Sequence, residues 1–154
     1  IVHGFLRLIF PGGYYRGLWR KYNALRQKQS FVLDGTLSKY EKAADNIKRS
    51  LKHDRPVFIF YIYQQPEVAW KFTRAREKID GRNIPKPAFI KQFLEAKKTV
   101  KLISDEFGDD VSIFLVKKDF EKNTVESLAK ISNNMSIDDY FEKNYTENDL
   151  EKCL

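Results

Sequence analysis

Cysteine is almost absent: Cys153 stands alone in 154 residues, so no internal disulfide framework can form. Two histidines beside one cysteine cannot complete a Cys/His zinc site either. No apolar run approaches the roughly 18 residues that a membrane span needs. The longest, from Val57 to Tyr63, has the length of a strand. Glycine and proline are sparse, with 7 and 5 copies, and no internal repeat or low-complexity segment occurs. These absences exclude a disulfide scaffold, a zinc module, a helical membrane anchor and a repeat array, and they lead us to expect a reducing, cytoplasmic setting without a membrane partner. The start, Ile1-Val2-His3-Gly4, lacks the length and small-residue cleavage pattern of a secretory signal and is read as an incomplete beginning.

What is present is oily and basic. Apolar residues make up 42% and aromatics 14%, with 12 Phe and 8 Tyr, enough to offset the chain entropy of ordering one core. At about 100–200 residues per domain, the chain makes a single domain over 1–154. The 28 bases exceed the 21 acids by seven, which favours polyanions without separating nucleic acid from phosphorylated small molecules. Residues 1–30 carry six bases and no acid, and residues 71–101 carry ten bases against three acids. Residues 119–154 reverse this with nine acids and four bases, so an anion site is expected upstream of about residue 110, away from the tail.

Patterning predicts an α/β order. The run Pro11-Gly12-Gly13-Tyr14-Tyr15-Arg16-Gly17 predicts a loop, and Leu18, Tyr22 and Leu25 predict a helix with a basic outer face over 18–29. Phe31-Val32-Leu33 predicts a short buried strand that delivers Asp34 at its carboxyl tip. Ser38 with Glu41 three residues on fits a capping box, ahead of a helix over 39–52 with Ala43, Ala44, Ile47 and Leu51 on its inner face. Val57 to Tyr63 is apolar on both alternating faces, as a central parallel strand covered by helices would be. Pro66 suits the first turn of a helix that Gly81 stops, with Val68, Phe72, Ala75 and Ile79 as its core stripe. Another helix opens at Lys86-Pro87 and closes at Gly108, a third strand covers 111–116, and short tail helices open at Ser136 or Asp138 and at Thr146. The order is βαβααβ plus a helical tail, an α/β sheet flanked by helices.

In open parallel sheets, ligands gather beyond the carboxyl ends of the strands, where loops and helix N-termini converge. Asp34 and Thr36 lie at such an end, with Gly35 leaving the backbone open to a ligand. Asp-Gly is also an ordinary turn, so Asp34 either caps the connection or meets a metal-bound water or a substrate hydroxyl. The helix from Pro66 carries Lys71, Arg74 and Lys78 on one flank and Arg76 on the other, followed by Arg82 in the turn Gly81-Arg82-Asn83-Ile84-Pro85. Lysines beside a buried stripe are usually solvated stems, whereas a guanidinium fork pairs two phosphate oxygens and stays charged. Arg76 and Arg82 are therefore the candidate phosphate ligands. No Ser/His/Asp or Cys/His nucleophile can be assembled; His3 and His53 read as solvated, Cys153 as a bystander, and Trp19 and Trp70 as packing residues.

Four stretches in register resemble the zeta-toxin family. They are Ser30-Phe31-Val32-Leu33-Asp34-Gly35-Thr36-Leu37-Ser38, then Asn46-Ile47-Lys48-Arg49-Ser50-Leu51, then Phe60-Tyr61-Ile62-Tyr63-Gln64-Gln65-Pro66 with Ala69-Trp70, and Ala75-Arg76-Glu77 with Gly81-Arg82-Asn83-Ile84-Pro85. The likeness spans residues 30–117. It implies a P-loop kinase-like parallel sheet flanked by helices. It also implies a toxin–antitoxin kinase that uses ATP and Mg²⁺ to phosphorylate a sugar hydroxyl of UDP-N-acetylglucosamine. By the same resemblance Asp34 and Thr36 face the nucleotide sugar, Arg82 contacts ATP phosphates from the lid region, and Arg76 belongs to that motif. The implied partners are the nucleotide sugar and an antitoxin protein. Phosphoryl transfer suits such residues, because it depends on positioning and positive charge more than on a covalent nucleophile.

Departures from the family bear on activity. Asp80 stands where the family commonly has Glu. Nowhere does the chain contain G-x-x-x-x-G-K-[ST], whose amides cradle phosphates, and Gly12-Gly13 and Gly17 lack the Lys-Ser/Thr that should follow. No aspartate aligns with the family's catalytic base. In that fold the phosphate-loop strand lies between the strand ending at Asp34 and the one beginning at Val57, so its absence leaves an interior gap. Either that strand precedes Ile1 or the first ten residues fill the slot in another way; the former is the preferred expectation. The chain alone is expected to be an inactive kinase domain. The alternative is a catalytically dead relative that still binds an antitoxin or a nucleotide sugar. A nucleic-acid module built on residues 14–28 ranks last, since no recognised motif accompanies the charge.

Overall fold

The computed structural model describes residues 6–9, 24–27, 29–81, 83–119, 124–132 and 135–154. Five strands form one sheet: β1 (Leu6–Ile9), β2 (Val32–Gly35), β3 (Val57–Tyr63), β4 (Val111–Asp119) and β5 (Thr124–Lys130), in the order β2-β1-β3-β4-β5. Helix α1 (Tyr40–Leu51) joins β2 to β3, and α2 (Pro66–Asp80) and α3 (Lys86–Phe107) join β3 to β4. A 3₁₀ turn at Ile137–Tyr140 and α4 (Glu147–Cys153) complete the tail. No described helix is long and apolar enough to cross a membrane.

The α/β class and the helix-flanked sheet are as expected. β3 and β4 pair in parallel from Val57↔Val111 to Tyr63↔Lys117, and β2 runs in the same direction as both. The expectation of parallel strands throughout is corrected at two places. β1 fills the slot between β2 and β3 antiparallel to each, with Leu6 level with Gly35 and Tyr61, and Ile9 level with Val32 and Phe58. The interior gap is thus taken by residues of the first ten, in the direction opposite to a phosphate-loop strand. β5, in a tail expected to be helical, pairs antiparallel with β4 and carries a bulge opposite Lys117/Lys118. Its residues are exposed on both faces apart from a half-buried Ala129, so backbone pairing rather than side-chain burial makes it a strand.

Alternation decides the core. Val57, Ile59 and Tyr61 of β3 and Val111, Ile113 and Leu115 of β4 are buried against Ala43 and Ile47 of α1 and Val100 and Ile103 of α3. The opposite face of the two strands is half-buried, and there Phe60 stacks on Phe114 at 5.1 Å. A second cluster joins Ala69 of α2, Phe89 and Ile90 of α3, and Leu150 of α4, with Trp70 packed on Phe89 at 5.1 Å.

Two helix details differ from the expected ones. The capping box at Ser38 does not form: Lys39 occupies the cap position of α1 without a side-chain bond, and Ser38 Oγ shares a 2.9 Å hydrogen bond with Thr36 Oγ1 instead. The stripe of α2 is not core, for Ile79 is 82% and Phe72 36% exposed and Ala75 is exposed too. α2 rests on the start of α3 and on α4 rather than on the sheet, and it turns its small residues Ala69 and Thr73 inward, where close approach is possible. The stops hold as expected, with Gly81 at φ 68° donating its N–H to Glu77 O.

Candidate functional site

The carboxyl ends of β2, β3 and β4 meet at one edge of the sheet. Gly35 and Tyr61 are level across β1, so these two residues stand about 10 Å apart, two strand spacings. The loop after β2 is under backbone strain. Leu37 takes φ 52°, a left-handed conformation that a bulky residue rarely adopts, and its side chain is buried in the core. Burial of Leu37 holds the turn in place and presents Thr36 at its outer side. A Cβ added at Gly35 would meet nothing within 4 Å, so the backbone there is open to an approaching group.

Two neighbouring cavities occupy this edge. A recess of about 30 Å³ lies between Thr36, the end of β3 and α3, and Tyr61, Gln64, Phe89 and Phe93 line it. A cleft of about 470 Å³ opens beside it over the ends of β3 and β4. Tyr63 and Gln64 border both. Lys117, Lys118 and Lys143 line the cleft together with Asp119, Glu126 and Glu142, and Tyr145 supplies an aromatic wall.

The tail enters the cleft because α3 holds it there. Lys97 pairs with Asp138 at 2.5 Å, donates to Asn144 Oδ1, and lies 4.5 Å above the Phe141 ring. Phe141 in turn meets Tyr63 edge-on at 4.6 Å. The hydrogen bond from Lys97 holds the Asp138 carboxyl below the usual carboxylate range, with Ser136 adding to it. Burial pushes the Tyr63 phenol well above its ordinary value, reinforced by Tyr145, Glu67 and Glu142. The Tyr63 phenol is protonated at neutral pH, as any tyrosine is, and its side chain borders the cleft. Gln64 is 8% exposed, and its Oε1 is buried without a hydrogen-bond partner.

The expected site residues are brought together only in part. Thr36 joins Gln64 at the recess, whereas Asp34 is exposed near the end of β2 and Arg76 is half-buried on α2, and neither borders the two cavities. Arg82 lies outside the described residues. The crowd of cations on α2 is relieved locally: Arg74 pairs with Glu77 and lies over Trp70, and Asn83 Nδ2 donates to the same Glu77 carboxylate. The tail does reach this edge of the sheet, for Glu142, Lys143 and Tyr145 line the cleft beside Lys117 and Lys118. Lys117 and Lys118 could have been found by the rule applied to Asp34, because they end a strand of the same direction.

The residues present do not fit a magnesium–ATP site. The lysine and hydroxyl of a phosphate loop are absent from the sequence, and β1 leaves the sheet at the edge opposite the cavities, beside Val32 and Phe58. Among the described residues no three His, Cys, Asp or Glu side chains come close enough to hold a metal ion.

A family model described as Zeta toxin matches residues 21–135. The matched segment contains β2 through β5 and leaves β1 and α4 outside. No curated protein and no solved structure matches the chain.

Proposed function

Because the chain belongs to the zeta toxin family of P-loop kinase-like toxins, we propose that it is the acceptor-binding body of such a kinase, taking a UDP-N-acetylglucosamine-type nucleotide sugar at the carboxyl edge of the sheet. The observation that carries the reading is the adjacency of two cavities that share Tyr63 and Gln64, one beside Thr36 and the other lined by Lys117, Lys118 and Lys143 together with Asp119, Glu126 and Glu142. Lysines at a strand end complement a diphosphate, and the Tyr63 and Tyr145 rings give a base a stacking surface. Thr36 can exchange hydrogen bonds with sugar hydroxyls, while Asp34, exposed at the end of β2 and outside both cavities, faces the sugar only by the resemblance. Arg76 and Arg82 keep the phosphate-facing role that the resemblance implies.

In this reading the chain binds without turning over. ATP and Mg²⁺ serve the family's reaction, but that chemistry needs a phosphate loop and a base aspartate that this sequence lacks. An antitoxin as partner and a cytoplasmic setting belong to the same proposal. The second reading, a relative that has lost catalysis and kept binding, is favoured by β1, which occupies the phosphate-loop slot in the reverse direction and falls outside the family match.

Calorimetry of the 154-residue chain with UDP-N-acetylglucosamine, paired with a γ-phosphate transfer assay, tests the proposal. Binding without transfer is expected. Absence of binding removes the nucleotide-sugar reading, and transfer by this chain alone overturns its inactivity. Fusing a phosphate-loop segment ahead of the chain separates the two readings, because only the first regains transfer.

A further inference from the structure

The wall that the tail gives the cleft is pinned in the core at its two ends and held between them by surface contacts. Ile137 is buried in the main core and Leu150 in the second cluster. Ser136 and Thr146 each exchange hydrogen bonds with the acid three residues on, Asp139 and Asp149, so both pinned ends are locally self-sufficient. No residue from 138 to 149 is buried, and residues 141–146 form neither helix nor strand. A segment with so little buried surface opens far more easily than the domain unfolds. Yet this segment brings Phe141, Glu142, Lys143 and Tyr145 to the cleft.

One side chain of α3 reaches along most of that span. Lys97, half-buried, pairs with Asp138 at 2.5 Å, lies 4.5 Å above the Phe141 ring and donates to Asn144 Oδ1. The rings add to this grip, Phe141 on Tyr63 at 4.6 Å and Tyr145 on Phe93 at 6.5 Å, both edge-on. We propose that residues 138–149 are a strap that opens to admit a ligand to the cleft and closes around it, with Lys97 as the positioning residue that clips it shut. Closure around a ligand rests on the nucleotide-sugar reading above, whereas the strap and its clip rest on these contacts alone. Ionic and ring contacts at the surface are individually weak, so the clip favours the closed position and still releases readily. A ligand that touches strap residues binds the closed form better and shifts the population toward it.

The test is native-state digestion of the full chain with trypsin, followed by mass spectrometry. Cleavage after Lys143, exposed within the strap, reads the open population, because a protease needs several residues of freed chain. Cleavage after Lys42, exposed on α1, is the reference for general loosening. Lys97→Met is expected to speed the cut at Lys143 about tenfold, the combined worth of a surface ion pair and a cation–π contact, and to leave Lys42 unchanged. Asp138→Asn, which breaks the clip from the strap side, is expected to speed it about threefold, and Lys97→Arg to keep the wild-type rate. Equal acceleration at Lys42 and Lys143, or none at Lys143 in the Met and Asn variants, overturns the strap. An Arg variant cut as fast as the Met variant overturns the charged clip. Saturating UDP-N-acetylglucosamine is expected to slow the cut at Lys143 in the wild-type chain. An unchanged rate with the ligand bound by calorimetry overturns closure around it. Absence of binding removes the nucleotide-sugar reading, and the variants alone then decide the strap.

Discussion

Replacing Gln64 by Met should make the free protein more stable. Gln64 is 8% exposed, and its Oε1 has lost water without gaining a donor. A buried polar atom left unsatisfied costs about 1–3 kcal/mol. Methionine is unbranched and one heavy atom smaller, so the packing against Tyr63 and α3 changes little. Taking about 2 kcal/mol as the central gain, and about 2–4 °C per kcal/mol for a chain of this length, the melting temperature should rise by about 4–8 °C. Far-UV circular dichroism gives the melting shift, and urea titration shows whether the midpoint moves at constant slope. An unchanged or lowered midpoint with the same slope refutes the reasoning, because a water held in the recess would then already satisfy the oxygen.

The remaining predictions concern packing and charge. Leu115→Ala, at a site 1% exposed in the centre of the sheet, should cost about 2–5 kcal/mol in urea unfolding, whereas Ile79→Ser should change stability by less than about 0.5 kcal/mol. A large loss at Ile79 would mean that the α2 stripe is covered after all. The Asp138 carboxyl is depressed in the folded state by Lys97, so its contribution is present above the unfolded value of about 3.9 and is lost as pH falls through the folded value. Lys97→Met should flatten the acid limb of the stability profile below about pH 4, and an identical limb in both proteins would refute the link. The effect is modest because Asp138 is largely open to solvent.

Much of the helical frame was legible because its signals are short-range. Pro66 in a first turn, Gly81 at φ 68° and the Ser136 and Thr146 caps each act within a few residues, and each appears where the residue types predict. The seven-residue strand Val57–Tyr63 was equally clear, since few other structures bury so apolar a run. The candidate site was legible at Thr36 but not at Gln64, whose importance lies in a missing hydrogen bond that no sequence displays.

By itself, the sequence determined the α/β class, the positions of the helices and the family, because apolar period, caps and motifs are local properties of side chains. Only the tertiary structure decided that β1 enters the sheet backwards, that the tail pairs as β5, that α2 turns its small residues inward, and that acids of the tail and Lys143 line the cleft. Strand pairing recruits backbone N–H and C=O groups that nearly every residue carries, so direction and partner leave little trace in residue type. They follow instead from which edge is open once the central strands and their helices have packed.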